Sequence, residues 1–166
     1  HGAWLRELQG SGPPHRRHLK LGFNEFEHGF RYRRVVEGNT EQDNDWSIGR
    51  TCLWPYALFV GSKASCHFEW RVPIDDQNTL SVAWFADRPA PGFQMTPQPV
   101  IPHWTAPIKD AQTGRWLTSH VMNQDFVAWV SQGAIADRTK ELLGESDRGI
   151  IMMRAKLKEQ MAWVAD

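Results

Sequence analysis

Two runs of alternating side chains, joined by a turn, constrain this chain more than anything else in it. In the first, Cys66, Phe68, Trp70 and Val72 fall on one side of an extended strand, and His67, Glu69 and Arg71 on the other. Pro73 ends the run, and Asp75-Asp76-Gln77-Asn78 has the composition of a turn. Thr79 to Ala86 then returns, with Leu80, Val82 and Trp84 alternating against Ser81, Ala83 and Phe85. The expectation is an antiparallel hairpin, one face apolar and the other, with His67, Glu69 and Arg71, wet.

The rest of the chain reads outward from that hairpin. Upstream, Gly2 to Lys20 is rich in glycine and proline and reads as a loop with one short helix around Trp4 to Leu8. Leu21 to Val36 suits strands, with Phe30 and Tyr32 alternating against Arg31 and Arg33. Glu37 to Ser47 is a polar surface loop, and Thr51 to Gly61 reads as one mostly apolar strand with an edge, a bulge or a bend at Pro55. Downstream, Pro89 to Pro107 holds six of the ten prolines and predicts a long excursion without regular structure. The last third changes period. Residues 121–132 look helical up to Gly133, and a short turn around Asp137 to Leu143 stops at Gly144. Ser146 or Asp147 then caps a final helix with Ile150, Met153, Leu157, Met161 and Val164 along one side. Strands first and helices last predict an α+β domain, a curved antiparallel sheet gripped by a long C-terminal helix.

Composition removes several function classes. A length of 166 residues argues for one domain, and 41% hydrophobic with 23% charged residues is ordinary for a globular one. Nineteen basic residues balance nineteen acidic ones, which argues against a nucleic-acid binder built on a broad basic face. No apolar run approaches the length of a membrane span. Two cysteines, Cys52 and Cys66, rule out a four-cysteine zinc or iron–sulfur site within these residues and argue against a disulfide scaffold. With no signal peptide visible, the expected location is cytoplasmic. Nine tryptophans predict a sizeable core or an aromatic-lined cavity.

Among residues able to carry chemistry, Asp125 stands out. On a helix its neighbours are Val121, Met122, Ala128, Trp129 and Gln132, a mostly apolar set. A carboxylate buried there needs a partner, because unpaired burial costs several kcal/mol. Two accounts stay open: a cation is that partner, or Asp125 sits in the first turn and favours the helix dipole. His67 and Glu69 share a strand face as ligands, as pocket residues or simply as part of the wet side. His15 and His18 flank two arginines in a solvated loop. Ser119 and His120, adjacent in sequence, point apart and do not form a nucleophile–base pair. The two cysteines read as separate thiols.

A resemblance gathers several of these pieces. Asn123-Gln124-Asp125, the run Ser131-Gln132-Gly133-Ala134-Ile135-Ala136-Asp137-Arg138-Thr139, then Glu141 to Asp147, and Arg154 resemble the catalytic domain of Rieske-type non-haem iron oxygenases. The likeness is to the phthalate dioxygenase-like ring-hydroxylating and O-demethylating group. His28-Gly29-Phe30-Arg31-Tyr32 resembles an early strand of that group, and Val72 to Thr79 its hairpin turn, in the same order along the chain.

The resemblance implies a helix-grip, START-like fold and an enzyme with one Fe(II) held by two histidines and one carboxylate, open to O2 and substrate. The carboxylate would be Asp125, and the second histidine would fall at about His1. The first would lie before the first residue, with an acidic residue that bridges to the neighbouring subunit's cluster. Members also carry an N-terminal Rieske domain whose Cys-x-His and Cys-x-x-His pairs hold a [2Fe–2S] cluster. Neither pair occurs here, so residues 1–166 are expected to be the C-terminal catalytic domain only, inactive alone. NAD(P)H would supply electrons through a partner reductase, sometimes with a ferredoxin, and the assembly would be a homotrimer. The substrate would be an aromatic small molecule, hydroxylated or O-demethylated. The competing reading is a metal-free helix-grip module that binds an apolar ligand without catalysis.

Overall fold

The computed structural model describes residue 10 and residues 16–61 and 65–165. These fall into two compact units, one made of residues 16–93 with 139–165 and the other of residues 94–138. The helix expected around Trp4 to Leu8 and the His1 position lie outside the described residues.

The first unit is built on a six-stranded antiparallel sheet in which every strand pairs with the next in sequence. The strands are β1 (His18–Phe26), β2 (Gly29–Val36), β3 (Arg50–Leu53), β4 (Ala57–Gly61), β5 (Ser65–Pro73) and β6 (Thr79–Asp87). A short helix α1 (Asn44–Ser47) interrupts the loop between β2 and β3, and a long helix α3 (Arg148–Ala165) closes the unit. This is the α+β, helix-grip arrangement expected from the sequence. The expected β5–β6 hairpin is present from Ser65 opposite Asp87 to Pro73 opposite Thr79. Its turn is held by Asp75, whose carboxylate accepts the backbone N–H groups of Gln77 and Asn78, each at 2.8 Å.

One expectation about the strands needs correction. Thr51 to Gly61 is not a single strand interrupted at Pro55 but a hairpin, β3 and β4, turning through Trp54-Pro55-Tyr56 and pairing Thr51 with Phe59 and Leu53 with Ala57. Proline has no N–H to give a ladder, so it sits where the chain leaves the sheet.

Residues directly opposite in an antiparallel pair share a face. Following the register across the sheet puts Phe23, Tyr32, Arg50 and Glu25, Phe30, Cys52, Leu58, Glu69 and Ala83 on one face. Helix α3 packs on that face. Gly149 lies against the Phe23 ring, where a Cβ would overlap it, and Lys156 Nζ reaches Glu25 at 3.3 Å. Phe23 in turn packs on Tyr32, ring centroids 5.4 Å apart. The expected apolar stripe is not what covers this contact. Gly149, Met152, Met153, Arg154, Lys156 and Gln160 are the covered positions, while Ile150, Leu157, Met161 and Val164 are exposed. Only Met153 belongs to both sets: the glycine sets which side of the helix comes closest. The opposite sheet face carries an aromatic row in which Phe68 meets Phe59, Trp70 and Trp84 at centroid distances of 5.0, 5.8 and 6.5 Å.

Before α3, a 3-10 turn over Glu145–Asp147 leads into the helix, and the Asp147 carboxylate accepts the Gly144 N–H at 2.9 Å. Arg154 of α3 holds Glu141 through two hydrogen bonds, at 2.5 and 2.9 Å, which ties the incoming segment to the helix.

The second unit has one helix, α2 (Val121–Val130), preceded by the expected irregular, proline-rich stretch. A single bridge between Lys109 and Trp116 closes a turn within it, around Asp110.

Candidate functional site

Helix α2 begins at His120, which is extended (φ −112°, ψ 140°) and whose Nδ1 accepts the Met122 N–H at 3.2 Å. His120 is therefore a helix cap. The next residues explain why Asn-Gln-Asp stands where it does. Asn123 and Gln124 are the buried residues of the helix, 7% and 3% exposed. Asn123 Nδ2 donates to the Pro107 carbonyl at 3.0 Å and Gln124 Nε2 to the Thr118 carbonyl at 2.9 Å. A proline-rich loop cannot satisfy its own carbonyls with a ladder, so two side-chain amides of α2 do it and fix the helix start against the loop.

Asp125 follows as the fifth residue of α2, half-buried, and no acidic residue lies in the first turn. The dipole account of Asp125 therefore fails, since that stabilisation is confined to the first turn. The expected apolar face is present but open: Val121 and Trp129, one turn away on each side, are exposed. The Trp129 ring packs edge-on against Phe126, centroids 5.4 Å apart.

Among the described residues no three His, Cys, Asp or Glu side chains converge as a metal site. Of the implied iron ligands, Asp125 is described, while His1 lies outside the described residues. The donor chemistry still fits in part. A half-buried carboxylate on a helix whose start is clamped is a suitable single oxygen ligand.

In the sheet unit, the structure reverses the expectation for β5. Glu69 is not on a wet face. At 4% exposure it is the most covered side chain of the strand, and it lies on the helix-bearing face. Its carboxylate is held from both sides, by His67 Nε2 at 2.8 Å and by Arg71, which also donates to Ser81 Oγ at 2.5 Å. A buried carboxylate is tolerated because it is paired and hydrogen-bonded. The alternation in sequence put the three residues on one side. That they would neutralise each other rather than face water was readable only from opposite charges two positions apart.

The two cysteines fall on opposite faces of the sheet, both free, and burial pushes the Cys52 thiol upward. His18 starts β1 and is exposed, as a solvated loop residue would be; His15 lies outside the described residues. An open apolar cleft of about 470 Å³ separates the Trp54-Pro55 turn from Leu157, Met161 and Val164 of α3. No titratable side chain lines it, so it offers contact but no chemistry.

Residues 109–165 match the family described as "LigXa C-terminal domain like". Over 162 residues, 97% of this chain, the sequence is 51% identical to the 5,5'-dehydrodivanillate O-demethylase oxygenase subunit of Sphingobium sp. (strain NBRC 103272 / SYK-6). The resemblance to an O-demethylase oxygenase read from the sequence is thereby borne out. The match covers 37% of that relative, so the chain spans well under half its length. No solved structure matches the chain. No helix among the described residues is long and apolar enough to cross a membrane.

Proposed function

We propose that this chain is the catalytic portion of an oxygenase that removes a methyl group from, or hydroxylates, a methoxylated aromatic substrate. The observation that carries the reading is 51% identity across 97% of the chain to an O-demethylase oxygenase subunit. Asp125 would supply the carboxylate ligand of a mononuclear Fe(II), with His1 and a histidine upstream of it as the other two. Bound there, the iron would supply the activation of O2. The chain's own contribution is placement. Asn123 and Gln124 hold the first turn of α2 on the loop carbonyls, so Asp125 is presented by a fixed backbone. The exposed Val121 and Trp129 beside it offer an apolar and aromatic surface to a substrate ring.

The electrons this chemistry needs have no store among these residues, which contain two cysteines and no Cys-x-His pair. The proposal therefore includes a Rieske [2Fe–2S] cluster in a separate domain, NAD(P)H through a partner reductase, and a homotrimer in which electrons cross between subunits. It also puts the protein in the cytoplasm, where the unpaired thiols of Cys52 and Cys66 persist.

The test is turnover by the full-length protein with NADH, a reductase and a methoxylated benzoate. Formaldehyde released in step with the loss of the methoxy group supports O-demethylation. A ring-hydroxylated product supports the other arm. Binding without any oxygen consumption favours the metal-free module.

A further inference from the structure

We propose that Arg31 and Arg33 form a binding site for the carboxylate of a small aromatic acid, on the sheet face opposite to helix α3. The site goes beyond the oxygenase reading: every residue in it belongs to the sheet unit, and neither Asp125 nor iron takes part. Arg31 and Arg33 stand two apart on β2, so both side chains lie on one face, roughly 7 Å apart at the backbone. Their stems are held side by side. Gly49 lies against both, and a Cβ there would meet Arg33 Cγ at 3.1 Å and Arg31 Cγ at 3.2 Å. The Nε atoms of both arginines are buried and meet no acceptor. Among the described residues neither side chain has a carboxylate partner. The cations around them do: Arg34 has Asp45 at 2.8 Å, Lys20 has Glu41 at 2.6 Å and Arg17 has Glu37 at 3.4 Å. Two half-buried arginines side by side repel each other and leave donors unmet, so the pair gains from one anion that both can hold. The guanidinium is a planar fork that fits a carboxylate through two parallel hydrogen bonds.

What flanks the pair selects an anion carried on a ring. Phe26 of β1 lies 5.7 Å from the Arg31 guanidinium. Trp46 of α1 lies over Gly22, the residue opposite Arg33, where a Cβ would meet its ring at 3.1 Å. Between Gly22 and Phe26 on β1 stands Asn24, exposed and directly opposite Arg31, so it shares the arginines' face. Two cations and one amide donor are thus bounded by an aromatic side chain at each end. That setting suits a flat aromatic carboxylate better than a bare inorganic anion, which makes no use of the rings.

The test counts labelled benzoate bound per chain, by equilibrium dialysis of the full-length protein at low salt without reductant. The double variant Arg31→Gln/Arg33→Gln is expected to bind one benzoate fewer per chain than the parent. Asn24→Asp is the second variant, since an exposed position tolerates the change and the new carboxylate gives Arg31 a partner within the chain. It is expected to lose the same benzoate while the melting temperature holds or rises. Arg33→Lys, which keeps the charge without the fork, is expected to weaken that site about 10-fold. At this site benzamide, the uncharged analogue, is expected not to compete, and inorganic phosphate to compete at least about 10-fold more weakly than benzoate. An unchanged count in both the double variant and Asn24→Asp overturns the proposal. So does displacement by benzamide or by phosphate as readily as by benzoate, the latter marking a site for any oxyanion. Iron content is read on the same samples, and its outcome bears on Asp125 and not on this site.

Discussion

Glu69 and Arg71 stand two residues apart on β5, and their side chains close into an ion pair on the helix-bearing face, where Glu69 is 4% exposed. Removing the carboxylate takes the buried counter-charge and a hydrogen-bond acceptor from Arg71, and the charged contact from His67. Breaking a buried pair in this way costs about 3 kcal/mol or more, whereas an amide that keeps the acceptor costs less. Urea unfolding of Glu69→Ala should therefore show a loss of about 3 kcal/mol, and Glu69→Gln about half of it. Equal stability of Glu69→Ala and the parent would contradict the pairing.

Gly149 and Phe23 set the approach of the long helix to the sheet. Alanine at a helical glycine ordinarily stabilises by about 1 kcal/mol. Here its Cβ would overlap the Phe23 ring, and overpacking costs about 1–3 kcal/mol. Gly149→Ala is expected to lower the melting temperature in the parent and to be neutral or stabilising in a Phe23→Leu background. A stabilised single variant would show that the helix does not lie on Phe23.

Two turn carboxylates carry an acid dependence, one in each unit. The Gln77 N–H and the Asn78 amide hold Asp75 below its ordinary value of 3.8, and the Thr113 hydroxyl and N–H do the same for Asp110. A carboxylate whose folded-state value is lowered contributes its stability above the ordinary value and loses it as pH falls through the lowered one. Both contributions are thus complete at neutral pH and disappear below about pH 4. Asp75→Asn keeps an acceptor in the turn but cannot titrate. Its urea midpoint should change less between pH 6 and pH 3 than that of the parent, and an identical slope would count against the turn.

Asn123 and Gln124 each satisfy a loop carbonyl. Asn123→Ala leaves the Pro107 carbonyl without its donor, and Gln124→Ala does the same for Thr118, at about 1 kcal/mol each. The expected local sign is new proteolytic cleavage between residues 107 and 118 in the variants under conditions where the parent stays intact. Cleavage at the same rate in both would mean that the amides do not hold the loop.

The strands and helices were largely legible in the sequence because their side-chain periods are short-range signals. β5 and β6 followed from alternation, and α2 from its spacing and Gly133, which closes it with φ +94°. The β3–β4 hairpin was hidden because its turn, Trp54-Pro55-Tyr56, is flanked by apolar residues and lacks the usual Asn, Asp or Gly. The covered side of α3 was hidden because a glycine, which contributes nothing to hydrophobic periodicity, decides it. At the candidate site, the sequence singled out Asp125 but not why its helix is held. The amides of Asn123 and Gln124 act on carbonyls at Pro107 and Thr118, contacts that no local pattern encodes. The burial of Glu69 depended likewise on neighbouring strands β4 and β6.

The central claim is that Asp125 is an iron ligand. The most direct measurement is the iron content and cluster spectrum of the full-length protein, purified without oxygen, against its Asp125→Ala variant. The account predicts loss of the mononuclear iron in the variant while the Rieske cluster signal and the folding transition persist. A variant that keeps all of its iron, or a parent that holds no mononuclear iron, would contradict it.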